Sequence, residues 1–320
     1  MTVRELSRLI LNRDDFLLLT HQRPDGDTLG SAAALCHALR QKGKRAWLYP
    51  NEDVTPRYDF ICRGLWASSS FSPGSIVSVD VAAPQQLAPS ASIFANKIDI
   101  CIDHHPKSEF FAEYNLVEPG AAATGELVWR LIGEMGISPT LEIYTALYLA
   151  VSTDTGCFRY SNTTPLSHEI AARCIAAGCD FHSINREFFE KKSMARLELE
   201  RHLLSNLIFA AKDRIASVYI PRSLIDLLRA TDDDLDNLST LTMQVGSILC
   251  GIVLVETKDR TGYKASVRTQ APLDAGAVCQ AFGGGGHARA AGCTLNGMDG
   301  ERARLMMERE AVRHLQENHV

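Results

Sequence analysis

Three short apolar segments that stop at acidic or histidine residues constrain the fold of this chain more than any other feature. They occupy residues 16–20, 76–79 and 98–102. The second segment runs directly into Asp80 and the third into Asp103. Helix-like stretches cover residues 31–40 and 141–153. Strand, loop and helix repeated in this way predict an α/β domain with a mostly parallel sheet.

Polar residues that can bind metals follow these segments. They are His21, Asp25, Asp27, Asp80, Asp103, His104, His105 and Asp154. In open α/β sheets, ligands bind beyond the carboxyl ends of the strands, so we expect these side chains to converge. Hard divalent cations prefer carboxylate oxygens, and Mn²⁺ also accepts imidazole. The pattern therefore predicts a metal site.

The segment at residues 21–31 has two interpretations when it is taken alone. As an extended loop, it would point Asp25 and Asp27 to opposite sides, so that they could serve separate ions. Alternatively, aspartate and glycine could simply form a solvated turn. Matching chemistry at the ends of the other segments favours the metal site.

The second half of the chain predicts a smaller α/β unit. Its predicted strands cover residues 214–220, 252–256 and 263–267, and its predicted helices cover residues 223–228, 240–248 and 301–316. We expect a catalytic domain at residues 1–185, a linker helix at residues 186–205 and a substrate-binding domain at residues 206–320. Four glycines at residues 283–286 precede His287. They could form a flexible turn, or they could let backbone N–H groups approach a phosphate.

Composition limits the environment and the partners. The nine cysteines are odd in number and contain no C-x-x-C pair, which argues against a disulfide framework or a thiolate zinc site. Free thiols, no signal-like start and no long apolar run lead us to expect a cytoplasmic protein with no membrane contact. The net charge of −5 argues against a broad surface for long duplex nucleic acid. A nucleic-acid substrate would therefore be short.

Four segments together resemble the motifs of the DHH phosphoesterase family. They are residues 21–31, 79–80, 103–105 and 152–156. Residues 283–292 resemble the glycine-rich signature of the DHH-associated C-terminal domain, so the resemblance covers nearly the whole chain. Residues 158–164 and 267–268 resemble the bacterial subgroup of bifunctional oligoribonucleases and pAp phosphatases, the nanoRNases.

The resemblance implies two divalent metal ions, with Mn²⁺ favoured and Mg²⁺ as the alternative. One ion would be held by His21, Asp25 and Asp80, and the other by Asp27, Asp80, His104 and Asp154. Two ions ~3.5–4 Å apart would clamp an in-line displacement at phosphorus, with a bridging water as the nucleophile. Asp103 would orient His104 or the group of metal ligands as a whole. His105 would contact the phosphate or the leaving oxygen. Substrate binding in the cleft between the two domains would fall to Arg268, Gly284, Gly285, Gly286 and His287.

Several functions remain open at this point. The favoured one is release of 5′-mononucleotides from very short RNA together with dephosphorylation of pAp. Hydrolysis of cyclic or linear dinucleotides is the closest alternative, while the glycine-rich loop and Arg268 argue against an inorganic pyrophosphatase. A nucleotide-binding regulator without catalysis is a further alternative, which the complete ligand set disfavours. The sequence leaves open whether the chain forms a homodimer.

Overall fold

The computed structural model describes residues 1–317. The chain forms two compact units, one at Met1–Lys191 and a second that begins at Lys192. Each unit contains its own sheet and its own hydrophobic core. Among the described residues, no helix combines the length and the apolar character that crossing a membrane requires.

The first unit is built on a five-stranded sheet in which every pairing is parallel. The order is β2-β1-β3-β4-β5, and the strands are β1 (Phe16–Leu19), β2 (Ala46–Leu48), β3 (Ser75–Val79), β4 (Ile100–Asp103) and β5 (Tyr114–Val117). The central strands β1, β3 and β4 are buried throughout, as expected of a parallel sheet covered on both faces. The predicted mostly parallel sheet is confirmed.

Seven helices surround this sheet. They are α1 (Val3–Leu11), α2 (Gly26–Gln41), α3 (Asp59–Cys62), α4 (Thr124–Glu134), α5 (Leu141–Asp154), α6 (Pro165–Ala176) and α7 (Phe181–Asn185). Helices α2 and α5 approach each other closely because glycine lies at their contact. A Cβ atom on Gly30 would lie 2.5 Å from the carbonyl oxygen of Ala146, and one on Gly26 would lie 2.5 Å from Thr153 Cγ2. Only glycine allows this spacing.

The second unit is built on a six-stranded mixed sheet. The order is β10-β11-β9-β8-β7-β6, and the strands are β6 (Ile208–Ala210), β7 (Ile215–Ile220), β8 (Cys250–Glu256), β9 (Gly262–Thr269), β10 (Gly285–His287) and β11 (Ala290–Asn296). Only β7 and β8 pair in parallel. The helices are α8 (Met194–Ser205), α9 (Arg222–Leu228), α10 (Asp232–Leu235), α11 (Ser239–Thr242), α12 (Ala275–Gln280) and α13 (Gly300–Glu317). A smaller second α/β unit is therefore confirmed.

Two predicted helices differ from the observed ones. The helix expected at residues 240–248 is wrong beyond Thr242, because α11 ends there and Gly246 weakens helix formation in the turns that follow. The single helix expected at residues 186–205 is interrupted. A π-helix spans Arg186–Glu190, and α8 begins anew after Ser193, whose hydroxyl caps it by accepting from the N–H of Arg196 at 2.9 Å. The strands β2, β5, β6, β10 and β11 escaped prediction.

Candidate metal centre

Asp25 and Asp27 lie at the N-terminus of α2 rather than on an extended loop, so that part of the prediction is wrong. Asp25 is the N-cap residue, and its Oδ1 accepts hydrogen bonds from the N–H groups of Asp27 and Thr28, both at 3.0 Å. Asp27 already belongs to the first helical turn and is 1% exposed. The helix starts this early because an aspartate cap satisfies two N–H groups that would otherwise lack partners.

The buried Asp27 carboxylate is held by three donors. Its Oδ1 accepts from Ser31 Oγ at 2.9 Å and from the N–H of Gly125 at 3.0 Å, and its Oδ2 accepts from the N–H of Thr124 at 2.7 Å. Thr124 and Gly125 open α4, so the carboxylate faces the positive end of that helix. These contacts fix both oxygens in place.

Asp80 lies between two histidines. It follows β3 with a left-handed backbone, φ 60°, which is uncommon outside glycine and occurs mainly at functional sites. Its Oδ1 accepts from Thr124 Oγ1 at 2.8 Å and lies 3.6 Å from His104 Nε2. Its Oδ2 lies 3.8 Å from His21 Nε2. This position suits a carboxylate that is shared between two groups of ligands.

Backbone carbonyls orient the two histidines. His21 Nδ1 lies 2.7 Å from the carbonyl oxygen of Gln22, and His104 Nδ1 lies 3.0 Å from that of Ala121. A proton on Nδ1 in each ring leaves the Nε2 lone pair free toward the carboxylates, which is the usual arrangement of a metal-binding histidine. His104 Nε2 lies 3.4 Å from Asp154 Oδ2 and 3.8 Å from Asp27 Oδ2, and His21 Nε2 lies 3.6 Å from Asp25 Oδ1.

Asp103 contacts His105 rather than His104. His105 Nδ1 donates to Asp103 Oδ1 at 2.7 Å, and Asp103 is fully buried. This hydrogen bond raises the pKa of His105 although burial opposes it. Burial would raise the pKa of Asp103, but its bond to His105 and the charge on that ring lower it. The pair fixes the orientation of a ring whose side chain is 42% exposed.

The remaining carboxylates crowd one another electrostatically. Burial, followed by repulsion from neighbouring carboxylates, raises the pKa of Asp27 and Asp80 well above the ordinary range. Burial also raises the pKa of Asp154. Burial would raise the pKa of Asp25 as well, but the hydrogen bond and charge of His21 lower it. Such a set of carboxylates can bind divalent cations, because the positive charge offsets the cost of burying the carboxylates and their mutual repulsion.

Three overlapping groups of side chains have the geometry to hold a metal ion. They are His21, Asp25 and Asp80; Asp80, His104 and His105; and Asp27, His104 and Asp154. Within each group, one donor atom from every residue lies within 4.8 Å of the others. Mixed imidazole and carboxylate donors suit a first-row divalent ion. All the residues predicted as metal ligands thus lie together.

Several supporting residues were missed by sequence reasoning. Thr124 and Gly125 hold the carboxylates, the Ala121 carbonyl orients His104, and Asn162 Nδ2 donates to the carbonyl oxygens of Ala122 at 3.0 Å and Asp154 at 3.1 Å. The only available signal was a run of small residues before Thr124, which is compatible with the start of a helix.

In the second unit, two of the predicted substrate-binding residues lie on the strands that flank β11. Arg268 on β9 and His287 on β10 are both paired with Ala290 of β11, so they flank the same residue. A Cβ on Gly284 would overlap the carbonyl oxygen of Gly292, whereas one on Gly285 would meet no atom within 4 Å. Gly284 is therefore required by packing, while Gly285 leaves open space beside the backbone.

Comparison with known proteins identifies the family. The DHH family N-terminal domain matches residues 15–151, and the DHHA1 domain matches residues 230–312. A Thermus thermophilus protein, bifunctional oligoribonuclease and PAP phosphatase NrnA, is 30% identical over 89% of this chain and 86% of its own. The Bacillus subtilis protein of that name is 23% identical over 96% of this chain and 97% of its own.

A solved structure supports the fold. An exopolyphosphatase-related protein from Bacteroides fragilis aligns with a TM-score of 0.82 at 23% identity, over 97% of this chain and 95% of its own. The similarity extends over both units rather than the catalytic motifs alone. The chain belongs to the DHH family.

Proposed function

We propose that this chain is a metal-dependent phosphoesterase that hydrolyses very short oligonucleotides to 5′-mononucleotides and removes phosphate from pAp. The observation that carries the proposal is the convergence of six side chains that could bind metal ions, beside the carboxyl ends of the parallel strands. They are His21, Asp25, Asp27, Asp80, His104 and Asp154. The names of the T. thermophilus and B. subtilis relatives, oligoribonuclease and PAP phosphatase, indicate the substrate class.

Members of this family depend on divalent metals, and the ligand arrangement favours two ions. His21, Asp25 and Asp80 would hold one, while Asp27, His104 and Asp154 would hold the other, with Asp80 shared between them. When bound, such ions supply positive charge to the phosphoryl oxygens and lower the pKa of water. We favour Mn²⁺, with Mg²⁺ as the alternative, because imidazole and carboxylate donors are mixed.

The remaining polar residues of the first unit position the reacting groups. Thr124 and Gly125 hold Asp27 and Asp80, so the ligands need little rearrangement. Asp103 fixes the His105 ring by accepting from Nδ1. The ring can then contact the phosphate through its other nitrogen or donate to the leaving oxygen, as proposed from the sequence.

In the second unit, we assign phosphate binding to a surface formed by Arg268, Gly284, Gly285, Gly286 and His287. The strand β10 is exposed along its length, and Gly285 has open space beside its backbone. Arg268 and His287 can add charge-assisted hydrogen bonds to a phosphate. A surface of five residues suits a short substrate rather than a long duplex.

A cytoplasmic location also stays a prediction.

The experiment that tests this function is a substrate panel with Mn²⁺. The panel contains pAp, pApA, cyclic di-AMP, RNA of two to five nucleotides and a long RNA duplex, with release of phosphate and mononucleotide as the measurement. We expect turnover of pAp and the short RNAs, and no turnover by the Asp80→Ala variant. Turnover of cyclic di-AMP alone, or of no compound with either Mn²⁺ or Mg²⁺, would overturn the proposal.

A further inference from the structure

The segment directly after Asp154 has an unusual backbone. Gly156, Cys157 and Phe158 have φ values of 56°, 58° and 62°, so three successive residues adopt the left-handed conformation. Residues other than glycine rarely adopt it, because their Cβ atom then crowds the backbone. The N–H of Cys157 donates to the carbonyl oxygen of Ser152 at 2.7 Å, and that of Phe158 donates to Thr155 Oγ1 at 3.1 Å. Local hydrogen bonds thus maintain a strained turn beside a metal ligand.

This turn places an exposed aromatic ring against a glycine. A Cβ on Gly156 would overlap the hydroxyl end of the Tyr160 ring, so the ring packs where a side chain is missing. Arg159 Nε donates to the carbonyl oxygen of Gly156 at 2.6 Å, and the N–H of Tyr160 donates to that of Thr155 at 3.0 Å. Despite these contacts, Tyr160 remains 56% exposed. The ring is therefore held in position while much of its surface is free.

The same segment is connected to the metal centre at two points. Consecutive Cα atoms are about 3.8 Å apart, so Gly156 Cα lies within about 8 Å of Asp154 Cα. Asn162, two residues after Tyr160, donates to the carbonyl oxygen of Asp154 and to that of Ala122. The neighbouring Ala121 carbonyl orients His104. Tyr160 therefore belongs to the segment that positions the ligands.

We propose that Tyr160 is a specificity-determining residue, a platform on which a base of the nucleotide substrate stacks while a phosphate lies at the metal centre. The inference rests on the proposed function and extends it to recognition of the base. A base and an aromatic ring bind through their faces without reading sequence, which suits an enzyme for many short nucleotides. A ring that is already fixed in place loses little side-chain entropy when it binds, because the strained backbone has ordered it in advance.

Three substitutions of the ring test the proposal. Tyr160→Ala should raise KM for pApA about ten- to hundredfold, the worth of one base–aromatic stack, with kcat much less affected. Tyr160→Phe should stay within about threefold of wild type because it keeps the ring. Tyr160→Leu should resemble the alanine variant. Phe60→Ala, at another exposed aromatic residue of the first unit, is the matched control and should leave KM unchanged.

A substrate without the base separates stacking from a structural role. On a pApA analogue whose stacked nucleotide is abasic, wild type and Tyr160→Ala should have equal KM values, and bound Mn²⁺ should be the same in both. Equal losses on both substrates, or a leucine variant with wild-type KM, would overturn the proposal.

A binding measurement distinguishes failure of this inference from failure of the proposed function. Tyr160→Trp places an indole at the platform, and its fluorescence should be quenched by AMP but not by ribose 5-phosphate. If wild type hydrolyses no nucleotide yet this quenching occurs, the proposed function fails and the base platform stands. If wild type hydrolyses pAp and AMP causes no quenching, the platform is wrong and the function stands.

Discussion

The candidate metal centre of the first unit and the strand β10 of the second unit differ in how their polar groups are exposed to a ligand. In the candidate metal centre, buried carboxylates accept hydrogen bonds from hydroxyl and N–H donors. In β10, the three residues are exposed, and Gly285 has open space where a side chain would be. The first arrangement fixes donor atoms at the short separations that a metal site requires. The second keeps a backbone accessible to ligands of varied shape.

The largest effect should follow from removing the shared carboxylate. We expect Asp80→Ala to lower kcat/KM by more than the roughly 10–100-fold that loss of a supporting residue costs, because both groups of ligands depend on it. Bound Mn²⁺, measured by elemental analysis, should fall in parallel. Asp59→Asn, at an exposed carboxylate of the same unit, should change neither quantity. Full metal content with activity within tenfold of wild type would contradict the assignment of two ions.

Removing the hydroxyl that donates a hydrogen bond to Asp80 should lower metal affinity less than removing Asp80 itself. Thr124→Val deletes the hydroxyl that donates to Asp80 but keeps the N–H that donates to Asp27. We expect the affinity for Mn²⁺, measured by titration calorimetry, to fall about 10–100-fold. Thr124→Ser should restore most of it because serine keeps the hydroxyl. If valine and serine variants bind the metal equally, this hydrogen bond does not position Asp80.

The third prediction concerns the second unit and should affect substrates without affecting metal. His287→Ala should lower kcat/KM for pAp by about one to two decades, since a hydrogen bond to a charged group contributes about 1.5–3 kcal/mol. Bound Mn²⁺ should not change. A small activated phosphate ester should lose much less than pAp. Equal losses for both substrates would assign His287 to the chemistry or the fold instead.

The smallest expected effects are those of alanine substitutions at two adjacent glycines, Gly284 and Gly285, which should differ from each other. Gly284→Ala should destabilise the chain by about 1–3 kcal/mol in urea unfolding, because the new Cβ would overlap Gly292 and Cys293. Gly285→Ala should stay within about 0.5 kcal/mol of wild type. It should instead raise KM for pAp a few-fold if the backbone binds phosphate. Equal destabilisation by both substitutions would contradict the observed packing of this strand.

The grouping of the candidate metal ligands could be anticipated because their signal is local. Asp80 ends an apolar β-branched run and Asp154 ends an apolar helix, so their places in the fold follow from periodicity. The early start of α2 was also within reach, since Asp25 is a favourable N-cap. An extended segment at residues 21–31 and a helix capped by Asp25 were therefore both compatible with the sequence.

The residues that hold those ligands could not be predicted in the same way. The N–H of Thr124 donates to Asp27 across 97 positions of the chain, and no local pattern links the two. This hydrogen bond depends on how α4 packs against α2, which is determined by tertiary structure. The strand β11 was missed for a related reason. Ala290, Ala291 and Gly292 have little intrinsic strand preference, and their pairing with β9 determines their conformation.

The contact between Gly26 and Thr153 has a consequence for judging which related sequences are active. Gly26 separates Asp25 from Asp27, and Thr153 precedes Asp154, so this contact, together with that of Gly30 against Ala146, limits the distance between candidate ligands on two helices. A valine at position 26 would push the helices apart while leaving every ligand present. We therefore expect a residue with no ligating side chain to affect whether metal ions can bind. A search that counts only aspartates and histidines would classify such a chain as an enzyme, whereas we expect it to be inert.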